Sequence, residues 1–193
     1  MHLPSGSSKG FSLIELLVVV SIMVTLLSIG VASYNSFNRI SILDGASKAL
    51  RSHMRLAQAF ALNGEKIQAP ASCASPLVFQ GYYVSFNTSG AHSYTIGQWC
   101  KHPTTGSDEF TSRTPPSPIT LPVGVTFSPS PSTSPLTILF KSIRGVEIYN
   151  SSTCCSSQIL PSPLDTTINL CTGSPCSGSN LRVVTVNQSG AVN

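Results

Sequence analysis

One carboxylate stands inside an otherwise apolar stretch of this 193-residue chain. Glu15 lies in the run FSLIELLVVVSIMVTLLSIGVA, residues 11–32, which is long enough as a helix to cross a hydrocarbon core of about 30 Å. A carboxylate within a membrane helix costs roughly a few kcal/mol unless a partner or protonation neutralises it. We therefore interpret Glu15 as a functional residue. The alternative is a chance acid in a plain signal anchor.

The residues before the apolar run contain a candidate processing site. The leader MHLPSGSSKG ends in Gly10, and Lys9 with the amino terminus favours a cytoplasmic position for this end. A secretory signal peptide has its small residues after the apolar region, so that cleavage releases a soluble protein. In this chain the small residue comes first. Cleavage after Gly10 would leave the apolar helix attached to the mature protein, whose remainder would lie outside the cytoplasm.

The side chains that usually carry catalysis form no recognisable motif. The chain has four histidines, three aspartates and many serines, but no GxSxG elbow, HExxH pair, Walker loop or GxGxxG turn. His92 and His102 lack a second ligand at metal-binding spacing, and Asp108 with Glu109 makes only one acidic pair for calcium. We predict that the protein is not an enzyme and that it holds no metal and no other cofactor.

The cysteines all lie downstream of the apolar run, and none is in a CxxC pair of the kind that binds zinc or runs thiol redox chemistry. An even number on the exported side of an anchor predicts disulfides, with free buried thiols as the alternative. The pairing stays open, because Cys171 could bond to Cys176 or to one of the adjacent pair at 154 and 155. The six candidates are Cys73, Cys100, Cys154, Cys155, Cys171 and Cys176.

Gly10 followed by FSLIELLVVVSIMVTLL resembles the cleavage and methylation signature of type IV prepilins and type II secretion pseudopilins. The resemblance implies that a prepilin peptidase cuts between Gly10 and Phe11 and methylates the amine of Phe11. It also places Glu15 at the fifth position of the mature chain, where the family carries its glutamate. A buried carboxylate can pair with the terminal ammonium of a neighbouring subunit. We therefore expect Glu15 to set the register of assembly.

The segment after the apolar run, residues 33–63, keeps helical character but becomes amphipathic. Apolar residues recur at spacings of three and four, and the basic residues fall largely off that stripe. Asn63 and Gly64 make a credible helix end. We expect one long helix whose first half is membrane anchor and filament core. The predicted stripe of the second half consists of Leu43, Ala46, Leu50, Met54, Ala57 and Ala61.

The remaining residues, 64–193, are predicted to form a β-rich, disulfide-linked head domain. Residues 81–99 are typical of a hairpin with a turn near Ser89 and Gly90. Further short strands are predicted at residues 124–127, 136–140, 145–149, 166–170 and 181–186. The stretch 111–135, rich in Pro, Ser and Thr, indicates a loop around one strand, with a glycosylated or ligand-binding loop as alternatives. The expected class is α+β, a long N-terminal helix packed on an antiparallel sheet.

These elements give the order leader (1–10), apolar half of the helix (11–32), amphipathic half (33–63) and head domain (64–193). The closing stretch LRVVTVNQSGAVN is similar to the terminal strand and turn of H-type pseudopilins and minor pilins. We expect a minor structural subunit of a pilus or pseudopilus, anchored by one span in the inner membrane before assembly. Its expected partners are the prepilin peptidase, other pilin subunits and the membrane.

A second class of function stays open, that of a membrane-tethered module binding DNA, a surface or a secreted protein. The basic residues beyond the leader are spread along the chain, which supports such binding only weakly. Neutralising Arg144 and Arg182 is the experiment that the sequence suggests for this alternative.

Overall fold

A computed structural model of the chain describes residues 10, 12–64, 73, 75–86, 92–112, 118–128, 136–142, 145–149, 165–173, 175–187 and 189–193. The chain divides into two units, Met1–Arg39 and Ile40–Asn193, which we call the N-terminal unit and the C-terminal unit. Helix α1, Leu13–Asn63, contributes to both, and the described strands belong to the C-terminal unit. The predicted α+β class is confirmed.

Helix α1 begins directly after Ser12 and ends at Asn63. The main-chain amides of Glu15 and Leu16 donate to the Ser12 carbonyl at 3.1 and 3.2 Å, which closes the first turn. At the other end Gly64 has φ = +63°, the left-handed conformation that glycine adopts readily and that commonly terminates a helix. The helix therefore stops at the position that the Asn63-Gly64 pair predicts.

The second half of α1 places the predicted apolar stripe in the core of the C-terminal unit. These residues share one face because neighbours three and four positions apart lie above one another on a helix. The opposite side of the same segment carries exposed small and basic residues, among them Gly45 and Lys48. The buried residues are Leu43, Ala46, Leu50, Met54, Ala57 and Ala61, so the stripe is confirmed in full.

Nine strands lie within the described part of the chain. They are β1 (Val78–Phe86), β2 (Ser93–Lys101), β3 (Asp108–Ser112), β4 (Ile119–Thr120), β5 (Val125–Ser128), β6 (Leu136–Lys141), β7 (Val146–Tyr149), β8 (Thr166–Thr172) and β9 (Leu181–Val186). Six of them form one antiparallel sheet of order β3-β2-β1-β6-β7, with β4 also pairing to β2. The other three form a second sheet of order β5-β8-β9.

The hairpin predicted from residues 81–99 is confirmed as β1 and β2, which pair antiparallel from Val78 opposite Lys101 to Phe86 opposite Tyr94. Its predicted turn at Ser89 and Gly90 lies outside the described residues. The five other predicted strands are also present, as β5 to β9.

Two features of the sheets differ from the single sheet expected. The strands divide between two sheets, and β3 and β4 had no clear signal in the sequence. Strand β3 starts with two acidic residues, and β4 has only two residues within the Pro-, Ser- and Thr-rich stretch. Both pair with β2, so an already formed hairpin edge recruits segments whose own strand propensity is weak.

The core joins the two sheets to α1 in one apolar cluster. Phe86 of β1, Tyr94 of β2 and Phe127 of β5 form an aromatic trio whose ring centroids are 5.0–6.1 Å apart. Because Phe127 belongs to the smaller sheet, this trio packs one sheet against the other. Strands β1 and β6 approach closely at Gly81, where a Cβ atom would collide with the carbonyl oxygen of Phe140.

Candidate processing segment and the residues around it

The predicted processing site lies just before α1. Gly10 is exposed and outside the helix, and nothing approaches within 4 Å of the position that a Cβ atom would take. Phe11, the other residue of the predicted scissile bond, lies outside the described residues. A peptidase needs non-helical main chain that it can reach, and Gly10 has both properties.

Glu15 lies in the first turn of α1 and is exposed. Among the described residues it has no ion pair, so any neutralising partner must come from outside this part of the chain. A carboxylate in a first turn also interacts favourably with the helix dipole, which is positive at the N-terminus. This position leaves Glu15 able to pair with a cation near the start of a neighbouring helix.

The apolar half of α1 has no packing partner among the described residues. Its large apolar side chains from Leu13 to Val31 are 43–83% exposed. Three hydroxyls in this half form hydrogen bonds within the helix. Ser21, Thr25 and Ser28 each donate to a main-chain carbonyl three or four residues earlier, at 2.8 Å. By length and composition this is the one described helix able to cross a membrane.

Two disulfides are described. Cys73 bonds to Cys100 of β2, with Cα atoms 5.6 Å apart, and Cys171 of β8 bonds to Cys176. Cys171 is therefore paired with Cys176 and not with Cys154 or Cys155. Cys154 and Cys155 lie outside the described residues.

A set of arginines, which sequence reasoning treated as scattered surface charge, joins α1 to the end of the chain. Arg51 donates from Nη2 to the Val183 carbonyl at 3.2 Å, and Arg55 donates from Nε and Nη2 to the Val192 carbonyl at 3.3 and 2.8 Å. Arg182 forms a salt bridge with the carboxylate of Asp44. The spacing of 44, 51 and 55 along one helix side could have indicated this shared neighbour.

The salt bridge with Arg182 changes the pKa of the Asp44 carboxylate. The hydrogen bond from Arg182 lowers the pKa of Asp44 below its usual value, and the positive charge of Lys48 acts in the same direction. Arg182 is therefore a structural residue of the C-terminal unit and a poor probe of ligand binding. Arg144, the other residue suggested for that test, lies outside the described residues.

His92 and His102, for which the sequence analysis predicts no metal, have hydrogen-bonding neighbours in the structure. Nδ1 of His92 lies 3.0 Å from the Val125 carbonyl oxygen, and Nδ1 of His102 lies 3.0 Å from the Thr104 hydroxyl. Within the described ranges no group of three His, Cys, Asp or Glu residues could hold a metal ion. Glu109 is exposed on β3, at the edge of the larger sheet.

Comparison with protein families finds a match to the prokaryotic N-terminal methylation motif over residues 6–31. The chain is type IV prepilin-like. The match covers Gly10, Glu15 and the apolar half of α1, so it concerns the N-terminal segment and not the strands. A prepilin-like segment marks a substrate of a prepilin peptidase and is consistent with a single-pass anchor in the inner membrane. No curated protein and no solved structure matches the chain.

Proposed function

We propose that this prepilin-like chain is a structural subunit, pilin or pseudopilin and of the minor kind, of a type IV pilus or type II secretion pseudopilus. The observation that carries the proposal is the methylation motif over residues 6–31, whose helical part has apolar side chains that are unburied within the described chain. Lipid can cover these side chains before assembly, and other subunits can cover them afterwards. The proposal contains no catalytic step.

The proposed mechanism rests on two charges, the Glu15 carboxylate and the amino terminus that cleavage would create. Cutting the Gly10–Phe11 bond creates a new amino terminus four residues before Glu15. An ammonium and a carboxylate in an apolar surrounding are each costly alone and are stabilised as a pair. A neighbouring subunit whose terminus meets Glu15 satisfies both, which favours one register of helix packing. The remainder of the chain, including the C-terminal unit, then lies outside the cytoplasm.

The processing step is tested by co-expressing the chain with a prepilin peptidase and measuring intact mass and N-terminal sequence from membranes. We expect a mature chain that starts at methylated Phe11, and an uncleaved chain for Gly10→Val because a branched side chain obstructs the scissile position. An uncleaved Met1 start for both proteins would contradict the assignment.

The assembly step is tested with Glu15→Val, which removes the carboxylate and leaves the processing site intact. Thr25→Val is the matched control, because it also replaces a polar residue of the apolar half, whose hydroxyl bonds only to its own helix. We expect both variants to be processed and only Glu15→Val to be lost from sheared filaments or pseudopilus fractions. Equal recovery of both would rule out Glu15 as the residue that sets register.

The tethered binding module is retained as a second candidate because of a row of cations along α1. Lys48, Arg51 and Arg55 lie on one helix side, and within the described chain none of the three forms a salt bridge. A row of cations on one side of a helix can attract an anionic ligand. Lys48→Ala is the clean test, since Lys48 is exposed and has no described hydrogen bond. Salt-dependent binding of an anionic polymer that weakens in this variant would favour the module.

A further inference from the structure

On the outer edge of β9 the main-chain carbonyls are already occupied by hydrogen-bond donors. In an antiparallel strand the main-chain groups of alternate residues point to opposite sides. The Thr185 amide and carbonyl both bond to Asn193 at 2.9 Å, away from β8, so Leu181, Val183 and Asn187 also direct their main-chain groups outward. Outward main-chain groups that have no partner can pair with a strand of another molecule.

Each outward carbonyl from Leu181 to Thr185 has a donor. The Leu181 oxygen accepts from Nη1 of Arg182 at 2.8 Å, and the Val183 oxygen accepts from Nη2 of Arg51 at 3.2 Å. Both donors are side chains, so they occupy the acceptors without presenting a new strand edge. Asp44 of α1 holds the Arg182 side chain through its salt bridge, which fixes the guanidinium at this edge.

The C-terminal turn, residues 187 and 189–193, covers the edge from Thr185 onward. The Asn187 amide donates to the Ala191 carbonyl at 3.1 Å, and the Asn187 side chain accepts from the Ala191 amide at 2.7 Å. Val192 is buried, and its carbonyl accepts two hydrogen bonds from Arg55. Gly190 has φ = +86°, a conformation that side chains rarely adopt.

We propose that Arg51, Arg182 and the C-terminal turn form an edge guard, which prevents β9 of one copy from pairing with β9 of a second copy. To pair there, a second strand would have to displace a charge-assisted hydrogen bond and cover the Arg51 guanidinium. The guard is needed because Val183 is 39% exposed on this strand and offers apolar surface to a partner. The inference concerns the C-terminal unit and does not rest on the proposed function.

Two substitutions in the full chain, kept in detergent, open the edge. Arg51→Met removes the donor to the Val183 carbonyl while keeping the apolar stem. Gly190→Val displaces the turn, because φ = +86° is a conformation that side chains rarely adopt and a Cβ atom there would lie 3.0 Å from Cγ2 of Val146. The matched control is the double variant Lys48→Met/Gly190→Val. Lys48→Met removes a positive charge from the same helix, as Arg51→Met does, but Lys48 has no described contact with β9.

A photoreactive amino acid placed at Val183 reports contact between the β9 strands of two copies. We expect about tenfold more crosslinked dimer in Arg51→Met/Gly190→Val than in Lys48→Met/Gly190→Val. Association through the apolar helices contributes equally to both proteins. Equal crosslinking in the two, including none in either, would overturn the proposal.

Circular dichroism and intact mass establish that each protein is folded with its disulfides formed. If the doubly substituted protein does not fold, Arg51→Met is compared with Arg51→Gln, whose amide retains an N–H donor for the Val183 carbonyl. The edge guard then requires more crosslinked dimer in Arg51→Met than in Arg51→Gln, and equal amounts would overturn it.

Discussion

His53 and Tyr94 form a hydrogen bond between α1 and β2, with 2.6 Å between Nδ1 and the phenolic oxygen. Burial raises the pKa of Tyr94 to about 12, so the phenol keeps its proton and can donate to the neutral imidazole. Burial also lowers the pKa of His53 below its usual 6.5. At neutral pH both groups are therefore uncharged, as their position at the edge of the aromatic cluster requires.

The C-terminal unit should lose stability as the pH falls below about 6.5. In the unfolded chain His53 binds a proton from that pH downward, whereas the folded chain resists it until the lowered pKa is reached. The unfolded state then binds more protons, so the free energy of unfolding decreases with decreasing pH. Urea unfolding followed from about pH 7.5 to about pH 5.5 measures this slope. His53→Gln should flatten it, and an unchanged slope in that variant would show that other groups cause it.

Two glycines of the C-terminal unit should respond oppositely to alanine. Gly81→Ala places a methyl group against the Phe140 carbonyl between two paired strands, and we expect a loss of about 2 kcal/mol or more in unfolding free energy. Gly45→Ala lies on exposed helix with nothing within 4 Å, so it should gain up to about 1 kcal/mol from helix propensity. Urea midpoints of the two variants give the comparison, and a stabilised Gly81→Ala would contradict the close approach of β1 and β6.

At the scale of elements, α1 is one helix with two kinds of surface. Its first half exposes large apolar side chains, and its second half buries a stripe of smaller and larger apolar residues against both sheets. Both halves have the same helical period, but among the described residues only the second half packs against strands. Tertiary packing therefore stabilises the second half, and under the proposed function lipid or a neighbouring subunit covers the first.

Two leucines of α1 test this division. Leu50 has no exposed surface, so Leu50→Ala should reduce the unfolding free energy of the C-terminal unit by about 2–5 kcal/mol through lost burial and a cavity. Leu56 is 42% exposed on the same helix, and Leu56→Ala should cost less than about 1 kcal/mol. Denaturant unfolding at neutral pH measures both. Similar losses in the two variants would show that the stripe is not the main packing face.

At the scale of the whole molecule, the two disulfides within the described residues close loops of different size. Cys73–Cys100 spans a sequence separation of 27 residues, and Cys171–Cys176 spans 5. Restricting the unfolded chain by these loops contributes about 3.5 and about 2 kcal/mol respectively. We expect the double alanine variant at 73 and 100 to lose more stability than the one at 171 and 176. Urea unfolding of the two variants decides, and the reverse order would place the main constraint at the smaller ring.

The two units differ in how much of their apolar side-chain surface is exposed to water. The C-terminal unit buries its own apolar residues. It joins α1 to β9 through Asp44 and Arg51, and to the C-terminal turn through Arg55. The N-terminal unit exposes its apolar side chains, and its described hydroxyls are already bonded within the helix. The chain thus combines a unit that buries its own apolar residues with a segment that exposes them, as the proposed role of an assembled subunit requires.

Local patterns were sufficient to predict the parts of this protein that depend on sequence neighbours. The motif at Gly10 and Glu15, the stripe from Leu43 to Ala61, the helix end at Asn63 and the β1–β2 hairpin all follow from spacings of a few residues. Helical and strand periods act over that range, as do turn residues and membrane length. These features could be determined from the sequence by itself.

Only the tertiary structure decided the features that depend on residues far apart in the chain. The division into two sheets, the pairing of β3 and β4 with β2, and the bond between Cys73 and Cys100 join segments whose own sequence does not select a partner. The contact of Arg51 with Val183 is of the same kind, since it joins residues 132 positions apart. Such contacts form because the packed core brings their elements together, and no local spacing encodes that distance.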